Sequence, residues 1–378
     1  MPPLTYVAVD PAAIEHNLGQ VRGLLQPPTA LMAVVKADGY GHGLLTAARA
    51  GARADADWLG VSQVAEGVAL REAGLEPPLL VFLPFLPEEA EALVTHRLSG
   101  TVVGGAQLLA LAAAADCGEG EAHFHLFLDG GLGRPGAGES LPALLESAAG
   151  FPGLVLDGLY THLDPSAAAP RGVLELLRPG AEWRLWGSLL RRMAQTHWQE
   201  AFHVHAAASS LTLRDPAAHL DLVRVGTLLY GQYPAAVPAA QRTLDLRPAL
   251  ELRSTVIAIT ELPPGAAVGY GAEFRCRRAT RVGLLPVGYA QGLGVMPSSL
   301  ARRRGGLRGL ARRVLRGEDQ RQALLGGRPA ALLGRTAMDW CCVDLTDHPQ
   351  AGVGVEVVLP CRRLLLDSSL PRVEVAFA

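Results

Sequence analysis

The chain has 378 residues, of which 49% are apolar and 19% charged, and its formal net charge is -2. This length is sufficient for two domains with hydrophobic cores, and the composition is that of a soluble globular protein. The balanced charge argues against nucleic acid or an anionic membrane as the main partner, since both favour a basic surface.

Cysteine usage and the amino-terminal segment bear on the cellular compartment. Five cysteines, an odd number without CxxC spacing, argue against a disulfide framework and a cysteine-rich zinc site, and they indicate a reducing compartment. The first residues carry acids at Asp10 and Glu15 and lack the basic region of a signal peptide. No run of about 18 uncharged apolar residues could span a bilayer. We therefore expect a cytoplasmic protein without a bound metal.

The first 230 residues alternate strand-like and helix-like segments. A first strand in LTYVAVD leads into Asp10-Pro11, where a capping residue and a proline indicate the start of a helix. Eight further strands are predicted, most of them separated by helical patterns, at 31–36, 58–61, 79–82, 100–103, 122–128, 154–160, 202–206 and 221–225. This count predicts an α/β fold, a (β/α)8 barrel of the TIM type. A doubly wound open sheet would produce a similar pattern and is the alternative.

From about Thr243 the pattern changes to short strands interrupted by Gly and Pro, which predicts an all-β domain. The Pro/Ala-rich stretch 232–241 marks the boundary, so we expect a barrel domain over 1–240 and a β domain over 241–378. Between the late strands lies an Arg-rich segment, 301–320. It lacks the interleaved aromatic residues of a nucleic-acid site, and we interpret it as a solvated surface insertion.

Of the 34 basic residues, only Lys36 is a lysine. A lysine amine, unlike a guanidinium, can be desolvated, deprotonated and made to form a Schiff base. Lys36 stands at the end of a predicted strand, where catalytic side chains emerge in barrel enzymes, and a glycine-rich turn follows it. It is therefore the first candidate for the chemistry; the alternative is an ordinary surface lysine.

Several motifs occur in a fixed order along the chain. Residues 33–43, AVVKADGYGHG, resemble the pyridoxal-phosphate lysine segment of the alanine racemase family. Further segments are similar to that family's other motifs, namely DGGLGR (129–134), GLYTH (158–162), HAAAS (205–209), VRVGTLLYG (223–231), VGYGA (268–272), PVGYAQG (286–292) and GRTAMD (334–339). The likeness extends from residue 5 to about 345.

The resemblance implies a cytoplasmic, homodimeric amino-acid racemase that uses pyridoxal 5'-phosphate to interconvert L- and D-alanine, as in D-alanine biosynthesis for the cell wall. Lys36 would bind the cofactor as a Schiff base and act as one base at Cα. Tyr270 would reach from the β domain into the active site of the other subunit as the second base. Two bases suit racemisation, because the proton leaves and returns on opposite faces.

The resemblance also assigns the residues around the cofactor. Arg224 would face the pyridine nitrogen and leave it unprotonated, which limits electron withdrawal into the ring. His162 would lie next to the ring. The phosphate would be bound by Tyr40, Ser209, Gly226 and Thr227, of which the last three also follow predicted strands seven and eight, the phosphate-binding end of a barrel. The substrate carboxylate and the cofactor's phenolic oxygen would be surrounded by Arg134, Tyr289 and the backbone N–H of Met338.

Some positions depart from the family pattern. Phe127 occupies the position of a lysine, often carbamylated, that positions the arginine corresponding to Arg134. Arg134 must therefore be positioned differently, for example by an anion such as chloride. Further departures are Ala208 for an asparagine, Ala337 for a cysteine, Gln291 for an aspartate, and Ser368 near the position of a carboxyl-terminal tyrosine that binds phosphate.

These departures keep other functions open. A racemase of serine, of lysine or of broad specificity is the first alternative. A non-catalytic pyridoxal-phosphate-binding protein is the second, although the β domain argues against it. A decarboxylase of similar architecture is the third, and Arg224 argues against it because such enzymes place an acid at the cofactor nitrogen. A non-enzymatic interaction protein would rest on residues 301–320 alone.

Overall fold

The computed structural model describes residues 3–118, 120–130, 132–137, 141–163, 183–195, 198, 201–295 and 322–377. The Arg-rich segment 301–320, predicted as a surface insertion, lies outside them. The chain divides into two compact units, one of Pro11–Ala249 and one of Met1–Asp10 with Leu250–Ala378. In the described part of the chain, no helix combines the length and the apolar character needed to cross a bilayer.

The first unit is a barrel of eight parallel strands, and all strands are numbered in chain order. Its strands are β2 (Ala30–Val34), β3 (Trp58–Val61), β4 (Leu79–Pro84), β5 (Ser99–Val102), β6 (Ala122–Asp129), β7 (Leu154–His162), β8 (His203–His205) and β9 (Leu222–Val225). They follow the order β8-β7-β6-β5-β4-β3-β2-β9. A bridge between Ala208 and Arg224 spans the remaining gap, where the Arg224 N–H donates to the Ala207 carbonyl at 2.9 Å. The predicted (β/α)8 barrel is confirmed, and the open-sheet alternative is wrong.

The barrel strands read as continuous apolar runs because helices cover their outer faces and side chains fill the interior. The helices of this unit are Pro11–Arg22, Leu44–Arg53, Val64–Glu72, Ala90–Thr95, Gly105–Gly118, Leu141–Ala149, Trp183–Gln195 and Ser209–Arg214. The first begins at the proline that the sequence marks as a helix start. A short helical segment, Lys36–Tyr40, follows β2. One-turn 3-10 helices lie at Pro87–Glu89, Pro216–His219, Leu228–Tyr230 and Ala239–Gln241.

The barrel interior combines an apolar cluster with a buried polar layer. The apolar cluster contains Met32, Val34, Trp58, Leu80, Phe127, Tyr160 and Leu222. The polar layer contains Thr101, His125, His205 and Arg224, all buried. Hydrogen bonds offset the cost of burying these groups; for example, Ser99 Oγ lies 2.9 Å from His125 Nδ1.

The second unit is a nine-stranded sheet with a small hairpin. The sheet has the order β11-β14-β17-β16-β15-β18-β10-β1-β19, with β1 (Thr5–Val9), β10 (Leu250–Thr255), β11 (Ala258–Leu262), β14 (Thr280–Leu285), β15 (Gln322–Leu325), β16 (Arg328–Leu333), β17 (Cys341–Asp344), β18 (Glu356–Leu359) and β19 (Arg372–Glu374). The hairpin joins β12 (Ala267–Val268) and β13 (Phe274–Arg275). The 3-10 helices are Tyr270–Ala272, Tyr289–Gln291 and Arg363–Leu365.

The first strand belongs to this sheet. The prediction included residues 1–10 in the barrel domain, whereas β1 pairs antiparallel with β10 and parallel with β19. An apolar strand needs hydrogen-bond partners at both edges when it is buried, and β1 finds them more than 240 residues along the chain. The local sequence of β1 carries no information about which strands it pairs with.

Candidate active site

A cavity of about 510 Å³ opens where the barrel strands end. Its size lies within the range of small-molecule and cofactor sites. Eight predicted site residues line it, namely Lys36, Tyr40, Arg134, His162, Ser209, Arg224, Gly226 and Thr227. Among the described residues around it, three are cationic and none is an aspartate or glutamate. This composition suits an anionic ligand.

Lys36 is presented by an unusual backbone. The next four residues have positive φ, at 53° for Ala37, 54° for Asp38, 59° for Gly39 and 54° for Tyr40. A left-handed turn costs roughly 1–2 kcal/mol for each residue other than glycine. Side-chain hydrogen bonds stabilise the turn: Asp38 accepts from Leu44 N–H at 2.9 Å, and Glu66 accepts from Ala37 N–H at 2.7 Å.

The amine of Lys36 lies in a desolvated, positively charged environment. Its Nζ is 5.6 Å from the centre of the Phe82 ring. Burial lowers the pKa of Lys36, and the charges of Arg134 and Arg224 lower it further, whereas the charge of Glu66 raises it. A lower pKa increases the fraction of neutral amine, which is the form that attacks a carbonyl or accepts a proton.

Hydroxyl groups and backbone N–H groups gather on one side of the cavity. A Cβ on Gly226 would lie 2.5 Å from the Tyr40 hydroxyl oxygen, so the glycine allows this hydroxyl to approach. Gly226 N–H donates to Ser209 Oγ at 3.1 Å. The Tyr40 ring packs 5.0 Å from the Tyr230 ring, which stacks on His42 at 4.3 Å. These contacts hold the Tyr40 hydroxyl beside the Gly226 loop.

Ser210 is a cavity-lining residue that the sequence analysis missed. Its Oγ is buried and has no hydrogen-bond partner among the described residues. A buried hydroxyl without a partner carries a free-energy cost that a ligand acceptor would remove. The available signal was the pair of adjacent serines, Ser209 and Ser210, at the start of the helix that follows the strand ending at His205.

Arg224 is buried and held by three hydrogen bonds. Its Nη1 is 2.7 Å from His205 Nδ1, and its Nη2 donates to the carbonyls of Thr161 and Ala206 at 2.7 and 3.1 Å. Burial lowers the pKa of Arg224 to about 10 and lowers the pKa of His205 well below its usual value. The guanidinium is therefore charged at neutral pH, and His205 accepts through Nδ1 as a neutral ring. His162, at the end of β7, lines the same cavity.

Arg134 reaches the cavity from the loop after β6. The Cζ atom of its guanidinium lies 4.9 Å from the centre of the Phe127 ring. Among the described residues, no carboxylate forms an ion pair with Arg134. Arg134 therefore contacts Phe127, the residue that occupies the position of the family's lysine.

The remaining predicted site residues lie together on the second unit. Tyr270, Met338 and Tyr289 are 62%, 59% and 49% exposed. Tyr289 N–H donates to the Ala337 carbonyl at 3.0 Å, and the Tyr270 ring lies 5.9 Å from the Trp340 ring. All three side chains are thus exposed.

The donor set fits pyridoxal phosphate. The cavity offers one amine for its aldehyde, a fixed guanidinium for its ring nitrogen, and hydroxyl and N–H donors for its phosphate, including the unpartnered Ser210 Oγ. Within the ranges that the structure describes, no group of three or more His, Cys, Asp or Glu side chains is arranged to bind a metal ion.

Comparison with known proteins gives one consistent family. Residues 9–234 match the model for the amino-terminal domain of alanine racemase, and residues 249–367 match that for the carboxyl-terminal domain. An alanine racemase of Synechocystis sp. is 35% identical over 367 residues, covering 93% of this chain and 88% of that protein. An alanine racemase of Desulfovibrio desulfuricans is 32% identical over 360 residues, covering 94% of this chain and 88% of that protein. The solved alanine racemase from D-cycloserine-producing Streptomyces lavendulae superposes with a TM-score of 0.78 at 27% identity, covering 100% of this chain and 98% of that one.

Proposed function

The chain belongs to the alanine racemase family, and we propose that it interconverts L- and D-alanine with pyridoxal phosphate. The observation that carries this proposal is the position of Lys36. The only lysine of the chain lines a cofactor-sized cavity at the end of a barrel strand, beside two arginines and several hydroxyl donors.

Lys36 has two roles in this proposal. Bound pyridoxal phosphate supplies a carbonyl that condenses with amines and a conjugated ring that stabilises negative charge at Cα. Lys36 would hold the cofactor through its Nζ, and its amine, when free and neutral, would accept or return a proton at Cα of the substrate. Its lowered pKa keeps a larger neutral fraction available for both roles.

Arg224 directs the outcome of the reaction. It donates to His205 Nδ1 and to two backbone carbonyls and stays protonated at neutral pH. A residue that only donates hydrogen bonds keeps the cofactor's ring nitrogen unprotonated. Arg224 at that nitrogen would limit electron withdrawal by the ring, which would favour return of the proton to Cα over decarboxylation or transamination.

The other residues around the cavity bind and orient the ligands. Tyr40, Ser209, Gly226 and Thr227 bind the phosphate, and His162 packs near the ring. Arg134 binds the substrate carboxylate, since a guanidinium matches a carboxylate with two parallel hydrogen bonds. Tyr289 and Met338 do not line this cavity; in this proposal Tyr289 and the N–H of Met338 would reach the substrate and the phenolic oxygen from the partner subunit, as Tyr270 does.

The second base completes the proposal and makes the enzyme a homodimer. Tyr270 of the partner subunit holds the proton on the face of Cα opposite Lys36. The Tyr270 side chain is 62% exposed, which supports this, because it is accessible to a partner subunit. We place the enzyme in the cytoplasm, where its five unpaired cysteines remain reduced, and where D-alanine is supplied for the cell wall.

The proposal is tested by incubating the cofactor-loaded protein with L-alanine and following D-alanine by chiral chromatography. Borohydride reduction of the loaded protein should attach the cofactor to one peptide, the one containing Lys36. Lys36→Arg should abolish this labelling and lower turnover at least 10³-fold, because a guanidinium is a poor nucleophile and base. Labelling without inversion of any amino acid would instead support a cofactor-binding protein, and released CO₂ would support a decarboxylase.

The shared active site is tested by complementation. Lys36→Ala and Tyr270→Phe variants should each be inactive alone. Mixed after dissociation and reassembly, they should regain activity, because a hybrid dimer contains one site with both bases. Absence of any regained activity in verified hybrid dimers contradicts the contribution of Tyr270 from the partner subunit.

A further inference from the structure

We propose that the Phe127 ring is the platform that positions Arg134 for the carboxylate of the substrate; this inference rests on the proposed function. The Arg134 Cζ lies 4.9 Å from the ring centre. A guanidinium within about 6 Å of an aromatic face is attracted by the negative charge density of that face. Phe127 is therefore a positioning residue, which acts on the substrate through Arg134.

The platform itself is held rigidly. Phe127 lies on β6, inside the barrel, and is 5% exposed. Its ring packs 5.0 Å from the Tyr160 ring. Tyr160 in turn stacks on His205 at 5.1 Å, and its hydroxyl lies 2.9 Å from Thr101 Oγ1. Because these side chains are buried and close-packed, the Phe127 ring stays in one orientation.

The backbone of the loop brings Arg134 over this ring. On one side of Arg134, the Asp129 carboxylate accepts from Leu132 N–H at 3.1 Å and from Gly133 N–H at 3.0 Å. On the other side, Ala137 N–H donates to the carbonyl of Phe127 itself at 2.7 Å. The loop thus leaves β6 and returns to it, with Arg134 between the two attachment points.

An uncharged platform leaves the guanidinium available to a ligand. Within the part of the chain that the structure describes, no carboxylate pairs with Arg134, and the cavity lining contains none. A carboxylate partner would occupy two of the guanidinium's donors and neutralise its charge. A neutral ring does not form an ion pair, so it leaves the N–H donors of the guanidinium to a substrate carboxylate.

The test uses the cofactor-loaded enzyme and propionate, which has the carboxylate of alanine but no amine. Phe127→Leu keeps an apolar side chain and removes the aromatic face. We expect it to raise the dissociation constant of propionate, measured by calorimetry, and the KM for L-alanine about three- to tenfold, with a smaller effect on kcat. Phe127→Tyr retains the ring and should restore both values to within about twofold.

A matched control separates positioning from packing. Phe124→Leu makes the same change on the same strand at a buried side chain that does not line the cavity, and it should leave propionate binding unchanged. Unchanged propionate binding in Phe127→Leu, or failure of Phe127→Tyr to restore it, overturns the inference. A rise in propionate affinity when chloride is added at constant ionic strength also overturns the inference, because an anion would then be the partner that positions Arg134. Racemisation of alanine by the unaltered enzyme is measured separately, so that a failure of the proposed function is distinguished from a failure of this inference.

Discussion

The Glu66 carboxylate accepts a hydrogen bond from the backbone N–H of Ala37, the residue after Lys36, at 2.7 Å. Its second oxygen accepts from Ser62 N–H at 2.7 Å and from Gln63 N–H at 3.2 Å. One side chain therefore joins the left-handed turn after β2 to the start of the helix Val64–Glu72. Glu66 fixes the backbone from which Lys36 extends, and its charge acts on the Lys36 amine.

Glu66→Gln should lower the pKa of Lys36 further below its usual value. Removing the negative charge removes the one influence that raises this pKa, while burial and the charges of Arg134 and Arg224 remain. Reductive methylation with labelled formaldehyde marks Lys36 and the amino terminus, so an NMR titration of the apoprotein reads this pKa directly. Glu72→Gln, at the other end of the same helix, is the control. An unchanged or raised Lys36 pKa in Glu66→Gln would contradict the assignment.

Ser210→Ala should weaken binding of pyridoxal phosphate about tenfold. The Ser210 hydroxyl is buried without a partner among the described residues, and a hydrogen bond to a charged phosphate is worth roughly 1.5–3 kcal/mol. Fluorescence titration of the apoprotein gives the dissociation constant. Pyridoxal, which lacks the phosphate, should bind both forms equally; a parallel loss for pyridoxal would assign Ser210 to general packing instead.

Gly226→Ala should impair cofactor binding because of the space that the new methyl group occupies. Its Cβ would lie 2.5 Å from the Tyr40 hydroxyl oxygen, so this hydroxyl must move away from the loop. We expect a loss of stability of about 1–3 kcal/mol and faster dissociation of the cofactor. Gly19→Ala is the control, since a Cβ there meets no atom within 4 Å, and within the helix Pro11–Arg22 it should stabilise by roughly 0.5–1 kcal/mol. Equal effects of the two changes would contradict the steric argument.

The buried histidines should make stability fall at acidic pH. Burial lowers the pKa of His125 to about 3, whereas an unfolded histidine has a pKa of about 6.5. Below about pH 6.5 the unfolded chain binds a proton that the folded chain excludes, so the free energy of unfolding decreases from there towards pH 3. The loss from one such histidine is about 2 kcal/mol at pH 5.

His125→Asn should therefore reduce this pH dependence, measured by urea unfolding at pH 8 and pH 5. Asparagine can retain the hydrogen bond to Ser99 and does not titrate. His123 makes stability rise at acidic pH, because its contact with Asp157 raises its pKa. It is present in both proteins, so its effect on the comparison cancels. An unaltered difference between the two pH values would show that His125 is protonated in the folded state.

Local sequence was sufficient for the eight strands and for Lys36, whereas closure of the strands into a barrel rather than an open sheet is seen in the structure. The eight parallel strands follow from apolar runs separated by helical patterns, and Lys36 stood out because its residue type, its uniqueness and its strand-end position are all local properties. The placement of Ser209 and Gly226 after the last two strands follows from the strand count. Eight of the predicted residues accordingly line one cavity.

The contacts around those residues required the folded structure. In the sequence alone, Glu66 is an ordinary acid in the first turn of a predicted helix, and Ser210 is the second of two serines after a predicted strand. The sheet that β1 joins, and the pairing of Arg134 with Phe127, depend on residues distant in sequence or on the path of a loop. Sequence by itself determined which elements form and which residue offers the one lysine amine, because periodicity and residue type are local. Tertiary structure alone decided which groups hold and tune these residues, because hydrogen bonds and ring contacts depend on distances that only packing establishes.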